Sequence, residues 1–273
     1  MQKTLSTTEF ADVLGLSESS IRRMADNGEI GFHKTRGGHR KFPVEEAIRY
    51  IRANRIQLTK PEILGLTTTY QTSPGFFEAL KVGESDLAVS QLIRLYLEGL
   101  SVHEICDGPM REALVKIGQT FPSDKRSIFV EHRAITICMR SLLQLRSVMP
   151  TVGGNAKRGI TAAPSDDPYF LPCLMASLVL HEAGLVEINL GPDTPMDILE
   201  DAIEDEAASI VCLSLTSPIR SRHLTTEITR LHRNSKEKQC RLVIGGQSSY
   251  QLDDPELNIC GSMGELSRIA REV

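Results

Sequence analysis

Apolar residues near the N-terminus recur at helical spacing in two short runs. In the first, Phe10, Ala11 and Leu14 share a face of a helix that Ser6 or Thr7 can cap, and Gly15 fits the left-handed residue that ends it. Ser17 can cap a second helix in which Ile21 and Met24 or Ala25 turn inward. Ser19, Ser20, Arg22 and Arg23 are left outward, and Asn27-Gly28 closes the run. Two short helices joined by a glycine-containing turn make a helix-turn-helix, whose second helix enters the major groove of DNA. From Ile30 to Phe42, two short strands flank Gly37-Gly38. This predicts a hairpin with Arg36, His39, Arg40 and Lys41 at its tip, placed to meet phosphates beside the second helix. Pro43 opens a third helix carrying Ala47, Ile48 and Ile51 along one face.

Beyond this head the period changes twice. Ala53 to about Pro74, with Pro61, Gly65 and the polar run from Thr67 to Pro74, has the composition of a mobile linker. From Gly75 to Met149 the spacing is helical: Phe76, Phe77, Leu80 and Val82, then Leu87, Leu92, Ile93, Tyr96 and Leu97, then Pro109 to Gln119 and Ile128 to Val148. Four or five helices in so short a span suit a helix bundle. After Lys157, strand patterns (Arg158–Ala163, Glu187–Leu190, Ile210–Leu215, Arg241–Ile244) alternate with helix patterns (Tyr169–Ala183, Pro195–Glu206, Leu224–Asn234, Gly264–Glu272). That alternation implies a doubly wound parallel sheet, with ligands at the carboxyl ends of its strands, after Ala163, Leu215 and Ile244. The expected architecture is therefore multidomain, α+β and α/β. A winged head spans 1–58, a linker 59–74, a helix bundle 75–152 and the sheet domain 153–273.

Composition narrows the setting. At 41% hydrophobic and 24% charged the chain reads as globular, and it holds no apolar run long enough for a membrane span. Its first residues lack the apolar stretch of a signal peptide, so a cytoplasmic location is expected. The net charge of −4 conceals an asymmetry: Met1 to Lys60 carries eleven Lys and Arg against seven Asp and Glu, leaving the rest strongly acidic. A basic head on an acidic body points to a local nucleic-acid surface. The six cysteines, Cys106, Cys138, Cys173, Cys212, Cys240 and Cys260, lie far apart without a C-x-x-C pair, and so read as buried thiols rather than disulfides or zinc ligands.

Residues Leu5 to Arg52 resemble the MerR and excisionase-like DNA-binding domains, with Thr35-Arg-Gly-Gly-His-Arg-Lys-Phe42 similar to that family's wing. The remainder resembles the cobalamin-binding module of methionine synthase and of the light-sensing repressors of carotenoid synthesis. In those repressors a MerR-type head, a helix bundle and a Rossmann-like domain occur in this order. Phe121 and Glu131-His132 have the spacing of the family's W-x9-E-H motif, which caps the upper face of the cobalamin. Ser214-Leu-Thr216 is similar to its S-x-L/T strand end, and Gly245-Gly246 to its Gly-Gly turn. Its D-x-H-x-x-G, which supplies the lower cobalt-ligating histidine, aligns here with Asp167-Pro-Tyr169-Phe-Leu-Pro172. A phenol is a poorer donor to cobalt than an imidazole nitrogen, and proline stiffens a loop expected to admit the cofactor's tail. Phe121 also replaces the upper-face tryptophan.

The resemblance implies a transcription regulator, a repressor holding operator DNA as a homo-oligomer, with Ser19, Ser20, Arg22 and Arg23 in the groove and Arg36, His39, Arg40 and Lys41 on phosphates. Three readings of the body stand open. It has lost cobalamin and serves oligomerisation, it holds cobalamin without a cobalt ligand, or it senses another ligand or light through the same pocket. A DNA-architectural or recombination-accessory role is a further alternative that the large body disfavours. An enzyme is not expected, because nothing supplies a substrate barrel around Asp166-Asp167 or Glu131-His132.

Overall fold

A computed structural model describes residues 4–64, 75–120 and 125–273. Residue contacts divide the chain into two compact units, Met1–Ser101 with Pro109–Thr151, and Val102–Gly108 with Val152–Val273.

The first unit opens with β1 (Thr4–Ser6), α1 (Thr7–Leu14), α2 (Glu18–Asp26), β2 (His33–Lys34), β3 (Arg40–Pro43) and α3 (Val44–Asn54). The caps are those the sequence indicates. Ser6 Oγ accepts the Glu9 N–H at 3.2 Å while Glu9 Oε2 accepts the Ser6 N–H at 2.7 Å, a reciprocal capping box. Gly15 ends α1 at φ +66°, and Ser17 Oγ accepts the Ser20 N–H at 3.2 Å. The hairpin gains a partner that the sequence pattern did not show: β1 pairs with β3, Leu5 opposite Phe42, giving a three-stranded sheet ordered β1-β3-β2. Three residues are too few to display a period. Beneath the sheet Phe10 and Phe42 meet edge-on at 5.3 Å, with Leu5, Ile21, Ile48 and Ile51 fully buried around them.

The described half of the expected linker is fastened to this head. The Thr59 N–H reaches Val13 O at 2.8 Å and Lys60 pairs with Asp12 at 2.9 Å. The remaining linker residues from 65 to 74 lie outside the described residues.

The same unit continues with α4 (Phe76–Val82) and α5 (Ser85–Leu97). A short α6 (Val102–Ile105) belongs to the second unit, and the first resumes with α7 (Arg111–Thr120) and α8 (Lys125–Val148). Along α8, Ala134, Ile137, Cys138, Leu142 and Leu145 recur at three- and four-residue steps and are buried, as a bundle stripe requires. The helix expected from Pro109 begins at Arg111 instead. Pro109 lies in a π-type turn, Cys106–Met110, where Gly108 leaves helical geometry.

The second unit alternates β4 (Arg158–Pro164), α9 (Phe170–Glu182), β5 (Val186–Thr194), α10 (Met196–Asp205), β6 (Ile210–Ser214), α11 (Arg222–Glu237), β7 (Arg241–Gly245) and α12 (Met263–Glu272). Its parallel sheet has the order β5-β4-β6-β7, so the winding reverses between β4 and β6. On one face Ile160, Val211, Leu213 and Leu242 pack with Leu199 and Ile203 of α10 and Ile228 and Leu231 of α11. On the other, α9 lies so close that a Cβ on Gly159 would fall 2.7 Å from Leu180 Cδ1. The expected doubly wound sheet is present.

Candidate functional site

Two places gather the residues singled out by the sequence. The first is the exposed side of the head. Burial of Ile21, Met24 and Ala25 turns Ser19, Arg22 and Arg23 to solvent, with Ser20 half-buried beside Ser17. Arg22 pairs with Glu18 at 2.6 Å, both side chains about half exposed at 54% and 41%. Such a pair contributes little in water, so the guanidinium can exchange carboxylate for phosphate. Arg23 makes no ion pair among the described residues.

The wing turn is closed by Gly38 N–H to Thr35 O and Thr35 N–H to His39 O, both 2.9 Å, with Gly38 at φ +79°. Arg36 and His39 stand exposed at its tip, and Lys41 lies on β3 opposite His33. Arg40 is used differently from the others. It bonds Asp26 of α2 at 2.6 Å, lies 5.2 Å over the Phe32 ring and is only 22% exposed. Its first task is to brace the wing against α2. Lys34, not singled out from the sequence, is exposed on β2 opposite Arg40 and has no ion pair among the described residues. Alternation would not have found it, because its cross-strand partner Arg40 stands two residues from Phe42, on the side of the sheet that buries that ring.

The second place is the carboxyl end of the parallel sheet. Asp167, 2% exposed, ties two loops together: its Oδ2 accepts the N–H groups of Thr216 at 2.6 Å and Ser217 at 2.9 Å, and its Oδ1 that of Tyr169 at 3.3 Å. The backbone around it is stitched further by Asp193 N–H to Asp167 O at 3.1 Å and Asp166 N–H to Asp193 Oδ1 at 2.9 Å. Ser214 ends β6 with its Oγ 3.4 Å from Thr216 Oγ1. Gly245 and Gly246 form a tight corner. The Leu215 N–H donates to Gly245 O at 2.8 Å, and a Cβ on Gly246, itself at φ +98°, would fall 2.4 Å from Leu215 O. Ser248 Oγ covers Thr216 O at 3.0 Å.

Tyr169 stands at the residue before α9, 47% exposed, and its phenol makes no hydrogen bond among the described residues. Pro172, read as stiffening a loop, sits instead in the first turn of α9, where no helical N–H is required. Beside these loops a crevice of about 860 Å³ opens at the topological switch, walled by Asp166, Tyr169, Met196, Arg220, His223 and Glu227 among others; the Gly245-Gly246 corner does not line it.

Asp167, Tyr169, Ser214, Thr216, Gly245 and Gly246 are thus brought together. Glu131 and His132 lie exposed on α8 of the first unit, and Phe121 lies outside the described residues. All six cysteines are buried, and none forms a disulfide. Burial pushes the thiols of Cys138 and Cys173 up to about 12, the latter helped by the Asp167 charge, so neither is a thiolate at neutral pH. Among the described residues no group of three or more His, Cys, Asp or Glu is placed to hold a metal ion, and no helix is long and apolar enough to cross a membrane.

Comparison with known families matches residues 4–55 to a helix-turn-helix domain. No curated protein matches the chain. Among solved structures, the monomethylamine corrinoid protein of Methanosarcina barkeri is similar in fold, with TM-score 0.55 at 14% identity, over 72% of this chain and 95% of that one. A cobalamin-binding protein from Desulfitobacterium hafniense DCB-2 aligns with TM-score 0.37 at 14% identity, covering 72% and 96% of the two chains. The methanol:cobalamin methyltransferase complex of Methanosarcina barkeri aligns with TM-score 0.37 at 11% identity, covering 94% and 92%. The chain therefore carries a helix-turn-helix domain of the DNA-binding kind and the parallel, helix-covered sheet fold of a corrinoid protein.

Proposed function

We propose that the chain is a DNA-binding transcription regulator with a MerR-type winged head at about 1–58, joined by 59–74 to a bundle and sheet body of the corrinoid-protein fold that acts without a protein ligand to cobalt. The observation that carries this reading is the arrangement of the head. Arg22 and Arg23 on α2, and Lys34, Arg36, His39 and Lys41 on the wing, are outward while the hydrophobic side of the same elements is sealed. Serines and arginines on α2 suit base and phosphate contact, and the wing cations fix register on adjacent phosphates. One small head has modest affinity. Repression through a homo-oligomer, with the body holding several heads on repeated half-sites, supplies the rest. The helix-turn-helix head favours a regulator over an enzyme, and the large body disfavours a recombination accessory.

The residues at the sheet end do not fit a histidine-ligated cobalamin. Tyr169 presents a phenol where the imidazole is required. The carboxylate that would orient such a histidine has both oxygens committed to the N–H groups of Thr216, Ser217 and Tyr169. The Gly246 corner is filled by the chain's own Leu215 and Ser248. A body freed from the cofactor, serving oligomerisation, agrees with this geometry. The crevice between Tyr169 and Arg220 favours one second reading, a sensor of a different small ligand.

The test uses the full chain and a duplex selected by it from a random-sequence pool. Arg23→Ala is expected to weaken binding in a mobility-shift assay by tenfold or more, while Tyr169→Ala leaves it within twofold. Equal binding by the Arg23 variant would sink the placement of α2 in the groove. Mixing with adenosylcobalamin in the dark, followed by gel filtration, should give a colourless protein peak. A coloured peak whose spectrum changes in Tyr169→Ala would overturn the cofactor reading.

A further inference from the structure

We propose that Arg52 is a positioning residue that seats the DNA-binding head on the carboxyl end of α5, so that the head and the bundle move as one body; this rests on the DNA-binding reading above and supplies a route for its regulation. Arg52 lies in the last turn of α3, next to Ile51, whose side chain is buried in the head. Its own side chain leaves the head and crosses to the bundle. Nη1 donates to Tyr96 O at 2.5 Å and to Leu100 O at 3.1 Å, and the guanidinium carbon stands 3.4 Å from the centroid of the Tyr96 ring. Tyr96 is 3% exposed, so the ring that receives the cation is itself fixed in the bundle.

The chemistry explains why an arginine serves here. The last carbonyls of a helix have no intrahelical donor and carry the negative end of the helix dipole. Around Leu100 the turn is held by Leu100 N–H to Leu95 O at 3.1 Å and Gly99 N–H to Tyr96 O at 3.2 Å, with Gly99 at φ +110°. That turn presents the Tyr96 and Leu100 oxygens side by side. A planar guanidinium can bond to the oxygens at its edge while stacking its face on an aromatic ring; an ammonium group has no such face. Arg52 also stands at the carboxyl end of α3, so two helix ends of like polarity share one cation.

The seat leaves the proposed DNA-facing side free: Ser19, Arg22, Arg23, Arg36 and His39 remain exposed with Arg52 docked. Contact between head and bundle is thus compatible with DNA binding. A change in the bundle that shifts the end of α5 then moves the head, and reciprocally DNA on the head is felt at Leu95–Leu100.

Hydrogen exchange on the full chain tests this. In Arg52→Gln, exchange of the Glu98, Gly99 and Leu100 amides is expected to rise by tenfold or more, with residues 7–48 and strands β4 to β7 unchanged. Arg52→Lys, which keeps the charge without the planar fork, should fall between wild type and Arg52→Gln. Adding the selected duplex to wild type should slow exchange both on α2 and at residues 98–100; in Arg52→Gln it should slow α2 alone. That second pattern separates positioning from a merely structural contact. The seat is overturned if Arg52→Gln leaves residues 98–100 exchanging as in wild type, and the coupling if duplex protects α2 of wild type but not those amides. Failure of any duplex to bind removes the DNA-binding reading and the coupling with it, while the comparison without DNA still decides the seat. Should Arg52→Gln not fold, Tyr96→Leu removes the stacking face and is read in the same way.

Discussion

Asp167 offers the sharpest quantitative test of the sheet end. Removing its carboxylate by Asp167→Ala leaves the N–H groups of Thr216 and Ser217, now bonded at 2.6 and 2.9 Å, without their charged acceptor. Hydrogen bonds to a charged partner contribute about 1.5–3 kcal/mol each, and an orphaned buried donor costs about 1–3 kcal/mol. Thr216 and Ser217 are only half-buried, so water recovers part of the loss. The expected cost is about 3–4 kcal/mol, or about a hundred- to a thousandfold in the unfolding constant of the second unit.

Asp167→Asn is the discriminating variant. Its amide oxygen can turn toward Thr216 and Ser217, forfeiting the charge and the longer 3.3 Å bond from Tyr169. A cost of only about 1–2 kcal/mol follows. Urea denaturation followed by far-ultraviolet circular dichroism measures both, with hydrogen exchange of the β4 and β6 amides assigning the loss to the sheet unit. If Asp167→Ala costs less than about 0.5 kcal/mol, or Asp167→Asn costs as much as Asp167→Ala, the carboxylate does not hold the two loops as described.

Three further outcomes follow from the same reasoning. Gly246→Ala should destabilise the sheet unit by at least about 2 kcal/mol, because its Cβ meets the Leu215 carbonyl at 2.4 Å in a left-handed residue; an unchanged urea midpoint would refute that. Lys34→Ala should leave thermal stability unchanged and reduce the slope of log K against log salt by about 1 in a DNA titration, whereas Arg40→Ala should lower the melting temperature of the head; the opposite assignment would reverse their roles. Glu46 has its carboxyl held below the usual range, first by its bond to Arg49, against desolvation, and further by the Gly31 N–H. Since the folded value is the depressed one, its contribution is present above the ordinary carboxylate range and is lost as pH falls through the folded value. Urea midpoints of wild type and Glu46→Gln should therefore converge only in acid, and a constant difference at all pH values would contradict this.

Most of the local structure was legible in the residue types and their spacing. Ser6, Gly15, Ser17 and Gly38 act through their immediate neighbours, by capping an N–H or adopting positive φ, and each stands where its residue type and spacing indicated. The two periods, helical then alternating, likewise fixed the parallel sheet, because burial of one helix stripe or both strand faces leaves a mark in every few residues. Pairings between residues distant in the chain emerged only on folding. That β1 joins the wing, that Arg40 braces Asp26, that Arg52 reaches Tyr96 across 44 positions, and that Asp167 is spent on Thr216 and Ser217 are all pairings without local periodicity. A side chain's chemistry is written in the sequence; the groups it faces are set only when the chain folds back on itself.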